Sequence, residues 1–241
     1  MIKTRLFITI LLMGCSNFLF AQAWGGGADN NDLSFGFSFS YLQSSFKIIK
    51  QPNWQEPFFD TELNQYATSK LTSISSKPLP GFAVGFLTRY RLTDHLEVRA
   101  TPSLVFADRA VSYTYVNPDQ DVTKSVQTTT VDFPLQLKLK SDRIKNIRAY
   151  LVGGLKYSGA IGSKKNEANT APTERLLRNI KGYSSYEAGF GFDIYFEYFK
   201  LSPEIKLTNS LGNMLLSEST PYATPISRLS LHTFTFSLFF E

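Results

Sequence analysis

Residues 229–240 read LSLHTFTFSLFF, an aromatic-rich stretch that decides the fold. From residue 233 onward the side chains alternate, with Phe234, Phe236, Leu238 and Phe240 on one face and Thr233, Thr235 and Ser237 on the other. Because successive residues of a β-strand point to opposite faces, this segment predicts a strand with one apolar and one polar face. A last strand that is apolar on one side and ends in aromatic residues is typical of bacterial outer-membrane barrels.

The first residues predict export from the cytoplasm. Lys3 and Arg5 precede a mostly apolar stretch, residues 6–20, which ends at the small-residue sequence Ala21-Gln22-Ala23. This order is typical of a secretory signal peptide, and we expect cleavage after Ala21. We therefore divide the chain into a signal peptide (residues 1–21), a flexible linker (residues 22–32) and an outer-membrane β-barrel domain (residues 33–241).

Cys15 is the only cysteine of the chain and lies inside the predicted signal peptide. The sequence around it superficially resembles a lipoprotein processing site, which stays an alternative, although residues 18–20 continue the apolar core past the cysteine. Once the signal is removed the chain carries no cysteine, which excludes disulfides, thiol catalysis and thiolate metal sites.

The composition predicts a folded β-domain. Beyond the signal, no apolar run approaches the roughly eighteen residues that a membrane helix needs, and the mean hydropathy is −0.12. Hydrophobic residues make up 43% of the chain and charged residues 19%, which excludes a disordered chain. Removal of Lys3 and Arg5 lowers the formal charge from +5 to +3. This mild excess suits anionic lipid headgroups and does not indicate a nucleic-acid partner.

Period-two alternation predicts eight strands: residues 33–41, 81–92, 95–107, 128–140, 147–158, 186–196, 199–207 and 229–240. The connections alternate in length: residues 42–80, 108–127, 159–183 and 209–228 are long, whereas residues 93–94, 141–146 and 197–198 are short. This pattern predicts an all-β fold, an eight-stranded antiparallel transmembrane outer-membrane β-barrel with long extracellular loops and short periplasmic turns. A periplasmic lipocalin-like or sandwich fold is the alternative.

Three prolines and one slip in the alternation do not fit simple strands. Pro102, Pro134 and Pro203 lie inside predicted strands, where each removes a backbone donor, and a closed barrel has no free edge. We expect them to mark bulges or strand ends. The alternation also changes phase between Leu231 and Phe234, which predicts an irregularity there.

If the apolar faces meet lipid, the opposite faces place charges in the lumen. The predicted cations are Arg89, Arg91, Arg99, Lys138, Arg148, Lys156, Lys200 and Lys206, and the predicted anions are Glu97, Asp132, Glu187, Asp193 and Glu204. An eight-stranded barrel is just wide enough for side chains, so opposite charges should pair and fill it. We therefore predict a structural ion-pair network that a folded protein cannot cross, with a proton or solute pathway as the alternative.

The chain offers few groups for catalysis. Its two histidines are His95, in a predicted periplasmic turn, and His232, towards the outer end of the last strand with Ser227 and Ser230 nearby. An outer-leaflet lipid-modifying enzyme that uses His232 as a general base is an alternative. We assign no catalytic, cofactor or metal residues, since two histidines without a calcium-loop or phosphate-binding glycine motif leave no recognisable set.

Two predicted loops carry candidate binding residues. The first holds Trp54, Phe58 and Phe59 among polar residues, which makes it a candidate binding site for a partner protein. The alternative is that this loop packs on itself or places its aromatic residues among headgroups. The third loop carries an excess of positive charge that could hold lipopolysaccharide phosphates, with Lys164, Lys165, Arg175, Arg178 and Lys181 as the candidate contacts.

Five further sequence blocks are PGFAVG (residues 80–85), HLEVRATP (95–102), DFPLQLK (132–138), AYLVGGLKY (149–157) and YFKLSPEIK (198–206), which together span nearly the whole mature chain. In their order and spacing these blocks resemble the PorT family. The resemblance implies an outer-membrane β-barrel required by the type IX secretion system, which exports proteins with C-terminal sorting domains to the cell surface and serves motility in gliding bacteria.

The resemblance further implies an accessory or assembly component with protein partners in that secretion machinery, without catalytic residues or cofactors. A general structural or lipopolysaccharide-binding barrel of the envelope is the alternative, because small barrels of this broad class have unrelated roles.

Overall fold

The structure is a computed structural model, and it describes residues 31–60, 64–161, 182–215 and 220–241. These residues form twelve β-strands and a short 3₁₀ helix, Pro118–Gln120. In chain order the strands are β1 (Leu33–Lys50), β2 (Phe59–Asp60), β3 (Gln65–Tyr66), β4 (Leu71–Ser75), β5 (Leu79–Arg91), β6 (Leu96–Ala100), β7 (Ser103–Tyr115), β8 (Val122–Lys140), β9 (Ile147–Ile161), β10 (Gly182–Tyr195), β11 (Lys200–Ser210) and β12 (Ile226–Phe240). Within the described residues, no helix has the length and apolar character needed to span a membrane.

Eight positions of the sheet close into a ring. β1 pairs antiparallel with β5 on one side and with β12 on the other. From β12 the ring continues through β11, β10, β9 and β8 to β6 and back to β5. β6 and β7 occupy one position of the ring, because both pair with β5 and with β8. The predicted eight-stranded antiparallel barrel is confirmed.

None of the three prolines inserts a residue into the sheet, and only Pro102 interrupts a strand. Pro102 lies between β6 and β7, but β5 and β8 keep the same register on both sides of it. The amide of Phe86 still donates to the Pro102 carbonyl at 2.9 Å. Pro134 and Pro203 lie inside the continuous strands β8 and β11. Pro102 therefore marks a strand end, whereas bulges at the prolines are wrong, because a missing N–H removes a hydrogen bond without shifting the pairing.

β12 contains no irregularity between Leu231 and Phe234. Its register with β1 is continuous from Phe240 back to Arg228, and buried and less buried residues alternate along the same span. The predicted irregularity is wrong because the inner face changes composition rather than phase. Leu229 and Leu231 face inward, as the hydroxyl side chains do further along the strand.

The side-chain pattern of the wall inverts along the strands. In the first half of β1, phenylalanines face outward and serines face inward. Beyond Tyr41, polar residues such as Lys47 are exposed outside, and Phe46 is buried inside. β12 shows the same inversion, with His232 outside and Leu231 inside. This explains why β1 extends to Lys50 although the sequence pattern predicted an end at residue 41.

An apolar belt surrounds the part of the barrel nearer the short turns. Its exposed large side chains include Phe35, Phe37, Phe39, Phe82, Phe86, Phe133, Leu135, Leu137, Leu151, Leu155, Phe190, Phe192, Phe234 and Phe236. Some of the belt is ordered by aromatic packing between strands, such as the stacked rings of Phe37 and Phe240 with centroids 5.1 Å apart. A continuous exposed apolar surface of this extent requires apolar surroundings.

Candidate functional site

Most of the buried charged side chains that the structure describes lie in the barrel lumen, which makes the lumen the candidate site. Of the thirteen charged residues predicted to face it, eleven are buried or nearly buried there. Arg91 and Arg148 are the exceptions. Arg91 pairs with Asp32 at 2.8 Å, and Arg148 donates from Nε to the Ser141 carbonyl at 2.5 Å. These two predictions are wrong because both arginines lie at strand ends, where the wall no longer encloses them.

A cluster of ion pairs fills the lumen at the short-turn end. Glu97 is fully buried and accepts hydrogen bonds from Arg89, at 3.1 Å, and from Lys140. Glu241 also pairs with Arg89, and it pairs with Lys200 at 2.8 Å. Because desolvated charges are costly unless they are paired, contacts this dense indicate a fixed network.

A second group of contacts spans the middle of the lumen. Arg99 donates to Glu204 at 2.6 Å and to the side-chain oxygen of Gln136 at 2.7 Å. The Tyr150 hydroxyl donates to Glu204 at 3.0 Å. The guanidinium of Arg99 also lies over the ring of Phe239, 4.4 Å from its centroid. Side chains from β6, β8, β9, β11 and β12 therefore meet at one arginine and hold the walls together.

Three further ion pairs confirm that the predicted lumen charges neutralise one another. They join Lys138 to Asp193 at 2.7 Å, Lys156 to Asp132 at 2.8 Å and Lys206 to Glu187 at 3.3 Å. Gly191 provides space beside them, because a Cβ at this position would lie 2.5 Å from the Tyr150 hydroxyl and 2.6 Å from the Pro203 carbonyl oxygen. The inner face of β10 thus needs a glycine where Tyr150 crosses the lumen.

A small polar cavity remains inside the wall. It has a volume of about 60 Å³, and its lining includes Arg109, Lys156 and Glu187 together with serine and threonine hydroxyls. A cavity of this size holds a few water molecules or a small ion. It is far too small for an unfolded polypeptide segment.

An apolar cluster fills the interior at the long-loop end, and we call this cluster the plug. It consists of Phe46, Leu71, Ile74, Val111, Tyr113, Tyr115, Tyr183, Met214, Tyr222, Ile226, Leu229 and Leu231. The Tyr113 hydroxyl donates to the Tyr222 carbonyl at 2.8 Å, and burial raises the pKa of the Tyr222 phenol. β4 contributes two plug residues by pairing with the upper part of β7. The lumen is therefore filled by ion pairs at one end and by an apolar core at the other.

Residues 20–216 match a family model described as the outer membrane protein beta-barrel domain. The chain belongs to this family. The protein is therefore an outer-membrane barrel whose apolar belt faces lipid, with the short turns in the periplasm and the long loops outside the cell. The plug lies at the extracellular end of the barrel, and the densest ion pairs lie at the periplasmic end.

Solved outer-membrane barrels match this chain at low identity. The outer membrane protein OprG of Pseudomonas aeruginosa is 12% identical, with 91% of this chain and 97% of that chain covered and a TM-score of 0.47. The attachment invasion locus protein Ail of Yersinia pestis, solved with the heparin analogue sucrose octasulfate, is 13% identical, with 87% and 99% covered and a TM-score of 0.37. No curated protein matches this chain significantly.

Of the three aromatic residues of the predicted partner site, only Phe59 is exposed. Trp54 packs against the plug, and Lys50 Nζ lies 3.8 Å from its ring centroid. Phe58 is half-buried, whereas Phe59 is exposed and makes an edge contact with Tyr66, with centroids 5.3 Å apart. The three side chains are therefore not exposed together, and the β2–β3 hairpin presents Phe59 beside Tyr66, while partner binding by this loop stays a prediction. This exposed pair is the revised candidate surface.

Some predictions fall outside the described residues and stay predictions. These are the signal peptide with its cleavage after Ala21, most of the linker, and the candidate lipopolysaccharide contacts Lys164, Lys165, Arg175, Arg178 and Lys181.

Both histidines of the outer-membrane barrel hydrogen-bond to polar neighbours. His232 faces outward with Nδ1 2.7 Å from Asn209 Oδ1, and Ser230 lies two positions along the same face, about 7 Å away along the strand. His95 contacts Asp142 at 3.0 Å in the periplasmic turns, and its hydrogen bond and charge lower the pKa of Asp142. In the part of the chain that the structure describes, no group of three or more histidine or acidic residues could hold a metal ion.

Three lumen charges were missed by the sequence pattern: Arg109, Lys140 and Glu241. Arg109 lies two residues beyond the predicted end of the third strand, in phase with the inward residues before it. Lys140 is in phase with Lys138, and Glu241 is in phase with Phe239. Following the alternation to the last residue of the fourth predicted strand would have found Lys140. Continuing it one step past the predicted ends of the third and last strands would have found Arg109 and Glu241.

Proposed function

We propose that this outer-membrane barrel is a non-enzymatic accessory or assembly component of type IX secretion, serving gliding motility where its host glides. The observation that supports an accessory role is the filled lumen, with ion pairs at the periplasmic end and the plug at the extracellular end. A barrel filled in this way gives an exported protein no conduit. Its contribution to export is then made by its surfaces, through contacts with the machinery that carries the cargo.

The assignment to type IX secretion rests on the resemblance to the PorT family. The five blocks that carry it also supply much of the lumen network. They provide Glu97 and Arg99 from one block, Asp132 and Lys138 from another, and Lys200 and Glu204 from a third. The resemblance therefore includes the residues that fill this barrel as well as its apolar outer face.

The test is deletion of the gene in its host, followed by complementation and localisation of proteins that carry C-terminal sorting domains. We expect this cargo to accumulate in the periplasm of the deletion strain and to return to the surface on complementation. Detergent sensitivity with normal cargo delivery would contradict the proposal and favour a general structural or lipopolysaccharide-binding barrel.

The surface that contacts the secretion machinery can be tested at the exposed aromatic pair of the first loop, Phe59 and Tyr66. Phe59 is 42% exposed and Tyr66 is 70% exposed, so truncating both should leave barrel abundance unchanged. We expect F59A/Y66A to reduce cargo delivery. The control is Val116→Ala, which truncates an exposed apolar side chain on a neighbouring loop. Normal delivery by F59A/Y66A would remove this pair from the proposal.

The non-enzymatic part of the proposal is supported by the surroundings of His232. A general base must lie within hydrogen-bond reach of the group that it activates, and His232 is engaged with an amide, Asn209. We expect His232→Ala to leave cargo delivery and the lipid profile of the outer membrane unchanged. An altered lipid profile in this variant, with normal barrel abundance, would favour the lipid-modifying enzyme.

A further inference from the structure

Arg109 differs from the other buried cations of the lumen. Its side chain is buried, and Nη2 donates to the Tyr183 hydroxyl at 3.2 Å. Seven other lumen cations each lie within 4.0 Å of a carboxylate, namely Arg89, Arg99, Lys138, Lys140, Lys156, Lys200 and Lys206. Among the described residues, no carboxylate forms such a pair with Arg109, and its Nε has no hydrogen-bond acceptor.

A buried arginine cannot avoid the free-energy cost of an unpaired charge by losing its proton. The guanidinium stays protonated at any accessible pH, whereas a lysine in the same place could become neutral. A buried charge without a counter-charge is unfavourable, because the lost hydration is not replaced. The positive charge of Arg109 therefore calls for a negative group inside the barrel.

The cavity beside Arg109 has the chemistry for such a group. Hydroxyls of Ser44, Thr208 and Thr233 line it together with the guanidinium, and both kinds of group can donate hydrogen bonds to an anion, whereas the Thr130 hydroxyl in the lining already donates to Asp132. We propose that this cavity binds a small inorganic anion of halide size, held by Arg109 beneath the plug. The anion site does not depend on the proposed role in secretion.

The size of the cavity restricts the ligand. About 60 Å³ suffices for a halide with a few water molecules, since one water needs roughly 10–15 Å³ measured in this way. The plug lies between the cavity and the extracellular side, so a lipid-linked phosphate has no short route to Arg109. Glu187 also lines the cavity, and its Oε2 has no donor among the described residues, which provides a place for accompanying water.

Diffraction with bromide tests the site directly. The full mature chain is refolded in detergent, crystallised with sodium bromide, and measured at the bromine absorption edge. We expect an anomalous peak in contact with the Arg109 guanidinium. The peak should disappear in Arg109→Gln and persist in Arg143→Gln, which removes an exposed arginine at a periplasmic turn. A wild-type map without a peak in this cavity would overturn the proposal, even if the Arg109 variant failed to fold.

Thermal unfolding gives an independent measurement in solution. Replacing gluconate, which is too large for the cavity, by chloride at constant ionic strength should raise the unfolding midpoint of the wild type by roughly 2–4 °C in saturating chloride. Arg109→Gln should lose this dependence, and Arg143→Gln should retain it. Equal midpoints for the wild type in chloride and gluconate would show that the cavity contains water alone.

Discussion

The interior of this barrel is filled by charged side chains in its periplasmic part and by apolar side chains in its extracellular part. Where lipid surrounds the wall, phenylalanine and leucine face outward and paired charges face inward. Where the strands rise into water, polar residues face outward and the plug fills the interior. Because a strand has only two faces, lipid outside the wall takes the apolar side chains and leaves the polar ones to the interior, whereas water outside the wall does the reverse. The two interiors should therefore fail in different ways when a residue is removed.

The largest effect is expected where one partner of a buried ion pair is lost. Glu204→Ala leaves Arg99 buried without its carboxylate, so we expect the free energy of unfolding in lipid vesicles to fall by about 4 kcal/mol. The double variant R99M/E204M removes both charges and should recover most of that loss. Urea titration followed by circular dichroism measures both variants.

Asp142→Ala is the matched control for this experiment, because it removes a carboxylate that also contacts a basic side chain but lies fully in water. We expect little change from it. If Glu204→Ala were no worse than this control, the lumen pairs would behave as solvated ions, and the contrast between the two ends would fail.

A somewhat smaller and more local effect is expected in the plug. Leu229 is completely buried there, and Leu229→Ala should cost about 3 kcal/mol through lost burial and the cavity left behind. Trp54 packs on the plug, so its fluorescence in a Trp24→Phe background reports this end alone. We expect the Trp54 transition to move to lower urea than the circular dichroism transition.

Leu135→Ala serves as the control for the plug variant, since Leu135 faces lipid and is 61% exposed within the chain. It should leave the Trp54 transition in place. Coincident transitions for Leu229→Ala, by fluorescence and by circular dichroism, would mean that the plug and the lipid-embedded wall unfold as one unit.

The part of the barrel in lipid could be predicted from sequence because its alternation of apolar and polar residues is strict. The periplasmic ends of the eight predicted strands were found within one residue, whereas their extracellular ends lie two to nine residues further along, and Pro102 divided the third predicted strand into β6 and β7. The extracellular part could not be predicted in this way. Residues such as Phe46 and Leu229 keep the period but exchange faces, so a rule that places apolar residues outside ends the strand too early.

The candidate site, like the fold, could be predicted from the sequence only in part. Alternation identified which charges face inward, but it could not identify which charges meet, since Arg99 and Glu204 lie on strands far apart in sequence. The plug was missed altogether, because its residues come from the long loops as well as from the wall. The placement of Trp54 in that core also explains why an aromatic loop residue was taken for a surface residue.

A moderate effect is expected from overfilling the lumen at β10. Gly191→Ala brings a methyl group against the Tyr150 hydroxyl and the Pro203 carbonyl, so we expect a loss of about 2 kcal/mol and a weaker contact between Tyr150 and Glu204. Urea titration measures the loss. Gly153→Ala is the control, because its nearest atom would lie at an ordinary 3.8 Å. Equal effects of the two variants would argue against close packing across the lumen.

The smallest effect concerns a histidine–carboxylate pair that lies in water. His95 donates to Asp142 at 3.0 Å, and this hydrogen bond, aided by the charge of His95, lowers the pKa of Asp142. A carboxyl whose pKa is lower in the folded chain stabilises the fold at neutral pH, and this contribution is lost as the pH falls through that lowered pKa. His95→Ala should return the Asp142 pKa towards its ordinary value, as measured by NMR titration of the carboxyl carbon. Because water and salt screen this exposed pair, the difference between wild type and variant should shrink as salt is added. A salt-independent difference would mean that the hydrogen bond alone lowers the pKa of Asp142, so that this pair would not behave as a solvated ion pair and would drop out of the comparison with the lumen.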